Sequence, residues 1–136
     1  MLLQTVSHCL NAGWVVIYIP KASKWMNSSF AYNKVPNTTT FVQPLLASTL
    51  AAQISSANKD VLSKILTSEK VIVGSHHIEK GTPLTTLLET GVKYQIAAQD
   101  VMEAFMKELN AQKEYVLDEF SHVSLKNCFF FCSTFV

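Results

Sequence analysis

The sequence of 136 residues contains no arginine, and all eleven of its basic residues are lysines. Arginine is the side chain best suited to bidentate contacts with phosphate groups and guanine bases. Charged residues make up only 15% of the chain and the formal net charge is +1, so no long-range field steers it to a nucleic acid. Composition therefore gives no reason to expect DNA or RNA recognition.

Glycine is also scarce, with four isolated residues at positions 13, 74, 81 and 91. Neither the phosphate loop GxxxxGK[ST] nor the dinucleotide fingerprint GxGxxG occurs in the sequence. The usual backbone cradle for a nucleotide phosphate therefore cannot form, and we expect no nucleotide-binding residue in this chain.

Cysteine and long apolar runs are limited as well. An odd number of cysteines, one near the N-terminus and two near the C-terminus, predicts reduced thiols in a reducing compartment. No apolar run approaches the roughly 18–20 residues of a membrane helix, so we expect no membrane insertion. The N-terminus lacks the features of a transit peptide, and any organelle address would have to lie upstream. The apolar content of 49% excludes a disordered tail and fits one domain or a section of one.

Hydrophobic periodicity predicts an α/β order that is rich in helices and poor in strands. A helix over residues 2–10 is followed by Gly13 as a left-handed cap and by a buried strand over Trp14–Ile19, which Pro20 ends. Residues 21–43 are predicted as a long loop that carries function or covers something. Because one strand cannot make a sheet, we expect one face of it to be underburied and the isolated chain to be marginally stable.

The next segment is predicted to be mostly helical. Pro44 fits the first turn of a helix. The apolar stripe that follows fits either one helix reaching Leu66 or two helices separated near Asn58. Residues 71–73 fit either a strand or part of a loop, and residues 74–81 are predicted as a loop.

A second, longer helix is predicted after this loop. Thr82 is a good N-cap residue and Pro83 suits the first helical position. The apolar stripe continues to Leu109, which gives one helix of roughly 40 Å. Gly91 inside this helix marks either close packing or a kink.

Residues that often hold metals occur here in arrangements that favour structural roles. His76 and His77 with Glu79 suggest a metal site, but no HExxH or CxxC spacing accompanies them. Cys128 and Cys132 have the wrong spacing for a redox pair or a zinc knuckle, so we expect them in a core. We predict no metal site.

The other reactive groupings are expected to lie on solvated helix faces or in the core, because neighbours in sequence usually point apart and nothing places the carboxylates in a pocket. These groupings are Ser7-His8-Cys9, Asp100 with Glu103, and Asp118 with Glu119. No catalytic residue is therefore predicted.

A contact with a partner is the remaining candidate for a site. Trp14 and Tyr18 are expected to be buried in the layered core. Lys21, Lys24 and Trp25 are the best exposed candidates for a partner contact.

Four segments, in a fixed order, carry a resemblance to a known family. They are GWVVIYIPKASKW at residues 13–25, QPL and AST within residues 43–49, EKGTPL at residues 79–84 and KEL at residues 107–109. The ending IPxxxxW and the motif EKG[ST]PL before a long helix are fairly specific when taken together with their order and spacing. In these features most of the chain resembles the death-associated protein family of the small subunit of the mitochondrial ribosome.

The resemblance implies a partial P-loop NTPase-like three-layer core over residues 1–115, followed by a divergent apolar tail over residues 116–136. It implies a structural constituent of the small mitoribosomal subunit, as a fragment or short form, that supports mitochondrial translation in the matrix. Its partners would be small-subunit proteins, with ribosomal RNA as a further candidate.

The family is GTPase-like, and GTP and magnesium are implied for its full-length members. Its phosphate loop lies immediately before the helix that matches residues 2–10. Its second phosphate motif, an apolar strand that ends in aspartate, follows the long helix. Residues 129–136 form an apolar, strand-like run, but no aspartate follows it. We therefore expect no enzyme activity and no cofactor in this chain.

Two alternatives remain open at this point. The chain could belong to a GTP-binding or GTP-hydrolysing protein whose phosphate loop lies in other sequence or in a partner. It could also be an apoptosis-linked adaptor that docks a partner through residues 21–43.

Overall fold

A computed structural model describes residues 2–18 and 30–118 of the chain, with the side chains of residues 3–18 and 30–111. The described part is rich in helices and has few, short strands, which is consistent with the predicted α/β class. In chain order its elements are α1 (Leu2–Asn11), β1 (Asn33–Lys34), β2 (Phe41–Val42), α2 (Pro44–Ala57), α3 (Lys59–Leu62), β3 (Val71–Val73), β4 (His76–Ile78), α4 (Leu84–Lys93), a 3-10 turn (Gln95–Ala97) and α5 (Ala98–Asp118).

Helix α1 ends in a cap built on Gly13, whose φ is +75°. The Gly13 N–H donates to the carbonyl oxygen of Leu10 at 3.0 Å, and the Trp14 N–H donates to that of Cys9 at 3.0 Å. These are the two hydrogen bonds of a Schellman motif, so the predicted left-handed cap is confirmed. On the predicted apolar face of α1, Cys9 is only 3% exposed but Leu3 is 72% exposed.

The segment Trp14–Tyr18 runs without helix, turn or bend, yet it belongs to no sheet among the described residues. The prediction of a strand is therefore wrong for this part, because a side chain, that of Asn58, takes the place of a neighbouring strand. The expected underburied face is also wrong for Val15, Val16 and Ile17, which are 4%, 4% and 5% exposed. The rest of the predicted strand and the proline that ends it lie outside the described residues.

The stripe after residue 43 forms two helices, so the second of the two predicted alternatives is confirmed. Helix α2 has Pro44 in its first turn, as predicted, and ends at Ala57. Helix α3 begins at Lys59. Asn58 lies between them with φ −116° and ψ 20°, values that interrupt the helical path.

Two antiparallel hairpins account for all four strands of the described part. In the first, Asn33 is opposite Val42 within the predicted 21–43 loop. In the second, Val71 is opposite Ile78, so the strand alternative for residues 71–73 is confirmed. The predicted loop at 74–81 is wrong for its central residues, because Gly74 adopts φ +58° and allows the chain to reverse at once.

The predicted 40 Å helix is wrong, since the chain turns between α4 and α5. Tyr94 has φ −118° and ψ 85°, and the 3-10 turn that follows redirects the backbone. The start also differs by one residue, because Pro83, with φ −58° and ψ 142°, is the N-cap and not the first helical residue. The break lets α4 and α5 pack against each other.

Gly91 marks close packing between α4 and α5, which was one of its two predicted roles. A Cβ atom built on Gly91 would lie 2.9 Å from Cγ1 of Val101. That separation is too short for two carbon atoms, so only glycine lets the two helices approach this closely.

The core lies where α2, α4, α5 and β3 meet. Its largest side chains with less than 2% exposure are apolar, with Asn58 as the exception. They are Phe105, Leu62, Leu84, Leu87, Leu88, Leu109, Val73 and Val101. None of the described helices combines the length and the apolar character needed to cross a bilayer.

Candidate partner-binding surface

The predicted contact residues Lys21, Lys24 and Trp25 lie outside the described residues, and their role stays a prediction. The described part of the same loop, residues 30–43, forms the β1–β2 hairpin. The buried segment that ends at Tyr18 precedes these three residues in sequence, and the hairpin follows them.

The hairpin forms one wall of an apolar groove. The rings of Tyr32 and Phe41 meet edge to face, with centroids 5.7 Å apart and planes at 82°. Both residues are more than half exposed, at 56% and 57%. The starts of α2 and α5 form the other walls and enclose a volume of about 480 Å³ with the hairpin. The lining residues are Tyr32, Phe41, Gln43, Leu46, Ala47, Leu50, Gln99 and Met102.

None of the described residues that line this groove carries a charge. A groove of this kind suits apolar side chains of a protein partner and offers nothing to neutralise a phosphate backbone. The sequence singled out this loop as one that carries function or covers something. The sequence could not reveal the groove, because the residues that α5 adds to its lining lie almost sixty positions after the hairpin.

A second apolar surface lies at the junction of α4 and α5. Ile96 is 94% exposed, the highest value among the exposed large apolar residues. Two residues earlier in sequence, the Tyr94 ring stacks on His76 with centroids 4.0 Å apart, and the Lys93 ammonium lies 5.3 Å from the Tyr94 centroid. The sequence pattern did not reveal this surface, because the apolar stripe predicts a continuous helix there. Ile96 falls outside the apolar stripe of that helix, which is the signal that could have found it.

The EKGTPL motif folds around a single buried threonine. Thr67 is 2% exposed, and its backbone N–H donates to the Thr82 carbonyl at 2.9 Å while its carbonyl accepts the Gly81 N–H at 3.0 Å. Its hydroxyl donates to the Glu79 carbonyl at 3.1 Å and accepts the Thr82 N–H at 3.1 Å. Every hydrogen-bonding group of Thr67 is therefore used to hold the motif.

Three residues of the motif each have a structural reason for their identity. Gly81 adopts φ +83°, which an L side chain rarely tolerates. The Thr82 hydroxyl donates to the Glu79 carbonyl at 2.7 Å and closes the turn. Leu84 is fully buried, and its N–H donates to the Ile65 carbonyl at 2.9 Å. The EKGTPL motif, one of the two more specific features of the resemblance, therefore serves to hold a turn and to pack a helix.

A buried carboxylate ties the same region to α5. Glu108 is 5% exposed, and its Oε2 accepts the Ser68 N–H at 2.9 Å and the Ser68 hydroxyl at 2.8 Å. These are charge-assisted hydrogen bonds from a turn to a helix forty residues away. They hold Ser68, which precedes the motif in sequence, against α5.

Replacing Glu108 with alanine is expected to lower the free energy of unfolding by about 2 kcal/mol, because the Ser68 N–H loses a charged acceptor. Urea denaturation of the full chain measures this value. Glu103→Ala is the matched control, since Glu103 lies on the same helix but is exposed, and it is expected to change stability by less than about 0.5 kcal/mol. Equal effects of the two substitutions would contradict the assigned role.

The residues considered for a metal site do not converge. His76 and His77 follow each other in β4, and consecutive residues of a strand point to opposite faces. The Glu79 carboxylate pairs with the Lys70 ammonium at 2.9 Å on the surface. Within residues 2–18 and 30–118, no three His, Cys, Asp or Glu side chains are grouped as a metal would require.

The other reactive groupings are also spread apart. Cys9 is buried in the core, while Ser7 and His8 are exposed on α1. Asp100 and Glu103 are exposed on α5, as expected. Asp118 ends α5, and its carboxylate neighbour and the two remaining cysteines lie outside the described side chains.

The matches to a family model and to known proteins point to the same family. The sequence matches the family model described as mitochondrial ribosomal death-associated protein 3 over residues 1–133. It is 33% identical over 113 residues to the small ribosomal subunit protein mS29 of Mus musculus. It is 30% identical over 113 residues to the protein of the same name from Bos taurus and 30% identical over 112 residues to that from Neurospora crassa.

Each of these alignments covers 82% of the present chain. They cover 29%, 28% and 24% of the mouse, bovine and fungal proteins. The chain therefore spans less than a third of the length of these relatives.

Proposed function

Since the chain belongs to the family of mitochondrial ribosomal death-associated protein 3, we propose that it is a structural constituent of the small subunit of the mitochondrial ribosome. The relatives are named as small ribosomal subunit proteins, which favours a structural role over an enzymatic one. The single observation that carries the proposal further is the EKGTPL motif, because each of its described roles is to hold a turn or to pack a helix. The place of action would be the mitochondrial matrix.

The same proposal extends to the fold of the complete domain. We propose that residues 1–115 are part of a P-loop NTPase-like three-layer core and that residues 116–136 form its divergent tail. The order of α1, the buried segment Trp14–Tyr18 and the packed helices supports this. Val15, Val16 and Ile17 are all buried in that segment, as expected where layers cover both of its faces.

The partner proposed for the groove is an apolar segment of another small-subunit protein. The uncharged lining between the hairpin and α5 favours a protein over ribosomal RNA. The absence of arginine from the sequence points in the same direction.

Sedimentation of mitochondrial lysate through a sucrose gradient tests this function. The chain, expressed at native level, is expected to sediment with the small subunit. Phe41→Ser, in the exposed wall of the groove, is expected to shift a large part of the chain to the top of the gradient. Ile72→Ser is the matched control, because Ile72 is 63% exposed on the other hairpin. A wild-type chain that stays entirely at the top would refute the proposal for this form.

We further propose that the described residues bind no GTP, because they do not fit a nucleotide phosphate. At the start of α4, the Gly81 and Thr82 N–H groups already donate to Thr67, and Pro83 has no N–H to offer. Gly13 lies at the C-terminal end of α1, where the helix dipole disfavours an anion.

Isothermal titration of the purified chain with GTP and magnesium is expected to give no binding heat above dilution. A P-loop GTPase titrated in the same buffer serves as the positive control. Saturable binding in the micromolar range would overturn the proposal and favour the GTP-binding alternative.

A further inference from the structure

The groove between the β1–β2 hairpin and α5 continues onto the exposed side chain of Ile96. The 3-10 turn Gln95–Ala97 leads directly into α5 at Ala98. Side chains three residues apart on a helical backbone are neighbours on its surface. Ile96 precedes Gln99 by three residues, and Gln99 lines the groove together with Met102. The two apolar surfaces therefore meet along the first turns of α5.

The exposure of these side chains rises from the groove towards the turn. Met102 and Gln99 are half-buried in the wall of the groove, whereas Ile96 stands almost entirely in solvent. A single exposed apolar side chain is ordinary, but one that continues an uncharged groove enlarges a contact surface. A partner that covers the whole surface fills the groove with its own side chains and encloses Ile96.

The lining of the groove favours a helix over an extended chain as its occupant. An α-helix bonds its backbone N–H and C=O groups internally, whereas an extended segment would bring such groups unpaired into the groove. The lining offers few polar side chains, those of Tyr32, Gln43 and Gln99. On α2, Leu46 and Leu50 lie about one helical turn apart. The side chains at positions i, i+3 and i+4 of a docked helix repeat at the same distance.

The two rims of the groove carry charges of opposite sign. Lys34 is the one charged residue of the hairpin, its loop included. It is directly opposite Phe41 in the hairpin register, so the two side chains lie on the same face. On the other rim, Asp100 and Glu103 are exposed on the first two turns of α5, and Glu103 lies one turn after Gln99. A complementary helix presents an acidic residue towards the hairpin and a basic residue towards α5.

We propose that the groove and Ile96 form one interface for an amphipathic α-helix of another small-subunit protein. The apolar face of that helix lies in the groove and against Ile96, with an acidic residue towards Lys34 and a basic residue towards Glu103. The inference rests on the proposed ribosomal function and adds the kind of segment that binds, its orientation and the residue that contributes most. Ile96 is that residue, because it has the largest exposed fraction to remove from water.

Photocrosslinking in intact small subunits tests whether one segment covers the whole surface. The photoreactive residue p-benzoylphenylalanine replaces Phe41 in one variant and Gln95, next to Ile96, in another. The small subunits are isolated on a sucrose gradient and irradiated. Both positions are expected to link to the same protein, at sites within about three helical turns of each other. Ile72 on the other hairpin is the control position, and the probe placed there is expected to link elsewhere.

Sedimentation without a photoprobe gives an independent test of the role of Ile96. Ile96→Ser is expected to move at least as large a share of the chain to the top of the gradient as Phe41→Ser does. Ile72→Ser is the matched control and is expected to sediment like the wild type. Because the Ile96 side chain is almost fully exposed, its replacement is expected to leave the circular dichroism spectrum of the full chain unchanged.

A synthetic peptide with the crosslinked sequence then measures the contribution of single residues to affinity for the full chain, by fluorescence anisotropy. Ile96→Ser is expected to weaken binding about tenfold or more. Lys34→Glu is expected to weaken it about threefold, and a peptide whose acidic residue is changed to lysine is expected to restore it. A peptide with a central proline is expected to bind at least about tenfold more weakly, because it cannot form a continuous helix.

Several results would overturn this inference. They are crosslinks from the two positions that lead to different segments, to RNA or to a second copy of the chain, the absence of any crosslink, full binding by the proline peptide, and an Ile96→Ser chain that sediments like the wild type. Each of these leaves the ribosomal function standing as long as the wild-type chain sediments with the small subunit. A wild-type chain that stays at the top refutes the proposed function itself, and the inference with it.

Discussion

Replacing Asn58 with alanine is expected to lower the free energy of unfolding by about 3 kcal/mol, which is a large share of the stability of a domain of this size. The substitution removes both hydrogen bonds to Val16 and the bond from Nδ2 to the Ile54 carbonyl at 2.9 Å. The Val16 N–H and C=O would remain buried without a partner, and that desolvation is the larger part of the cost. Urea denaturation monitored by circular dichroism measures the change.

Two further variants separate the contribution of the hydrogen bonds to stability from the effect of simply losing a side chain. Asn110→Ala is the matched control, because Asn110 is exposed on α5, and it is expected to change stability by less than about 0.5 kcal/mol. Asn58→Asp keeps an acceptor for the Val16 N–H but loses both donated bonds, and it buries a carboxylate beside two carbonyl oxygens. It is expected to be at least as destabilising as alanine at neutral pH. If Asn58→Ala matched Asn110→Ala, Asn58 would have no role in holding the buried segment.

The same residue shows what the sequence could and could not predict. The apolar stripe left open whether one helix continues to Leu66 or two helices are separated near Asn58, and the structure has the second arrangement. Nothing local indicated that its amide reaches Val16, forty-two positions earlier. The strand prediction failed for a related reason, since apolar periodicity reports burial and does not report whether a neighbouring backbone is present.

Short elements and the turn between the last two helices were missed for different reasons. A three-residue strand such as β4 is too short to show a period, and its two histidines are not typical strand residues. The break at Tyr94 carries neither glycine nor proline, so no local signal marked it, and the apolar stripe continues on both sides. Tertiary packing therefore determines the backbone at β4 and at Tyr94. The helix ends at Gly13 and Pro44, by contrast, follow from local backbone preferences.

The candidate surface was predictable only in its location along the chain. Composition and loop length selected residues 21–43, and the described half of this loop does form a wall of the groove. The opposite wall comes from α2 and α5, which meet the hairpin only in the folded chain. The contact residues Lys21, Lys24 and Trp25 were chosen for expected exposure, and they stay a prediction.

Replacing Gly91 with leucine is expected to lower the free energy of unfolding by about 3 kcal/mol, because the new side chain would have to fit between α4 and α5. Even its Cβ atom would lie 2.9 Å from Cγ1 and 3.1 Å from Cβ of Val101. Leucine has the higher helix propensity, by about 1 kcal/mol. A loss of stability would therefore show that helix packing, and not local preference, determines this position.

Val92→Leu is the matched control for that measurement, since Val92 is the next residue of α4 and is 39% exposed. It is expected to change stability by less than about 0.5 kcal/mol. A double-mutant cycle then tests the specific contact. Val101→Ala removes the two γ carbons that face the glycine, so Gly91→Ala is expected to cost about 1 kcal/mol less in the Val101→Ala background than in the wild type. If the two substitutions were additive, the close approach at Gly91 would not be what sets the distance between the two helices.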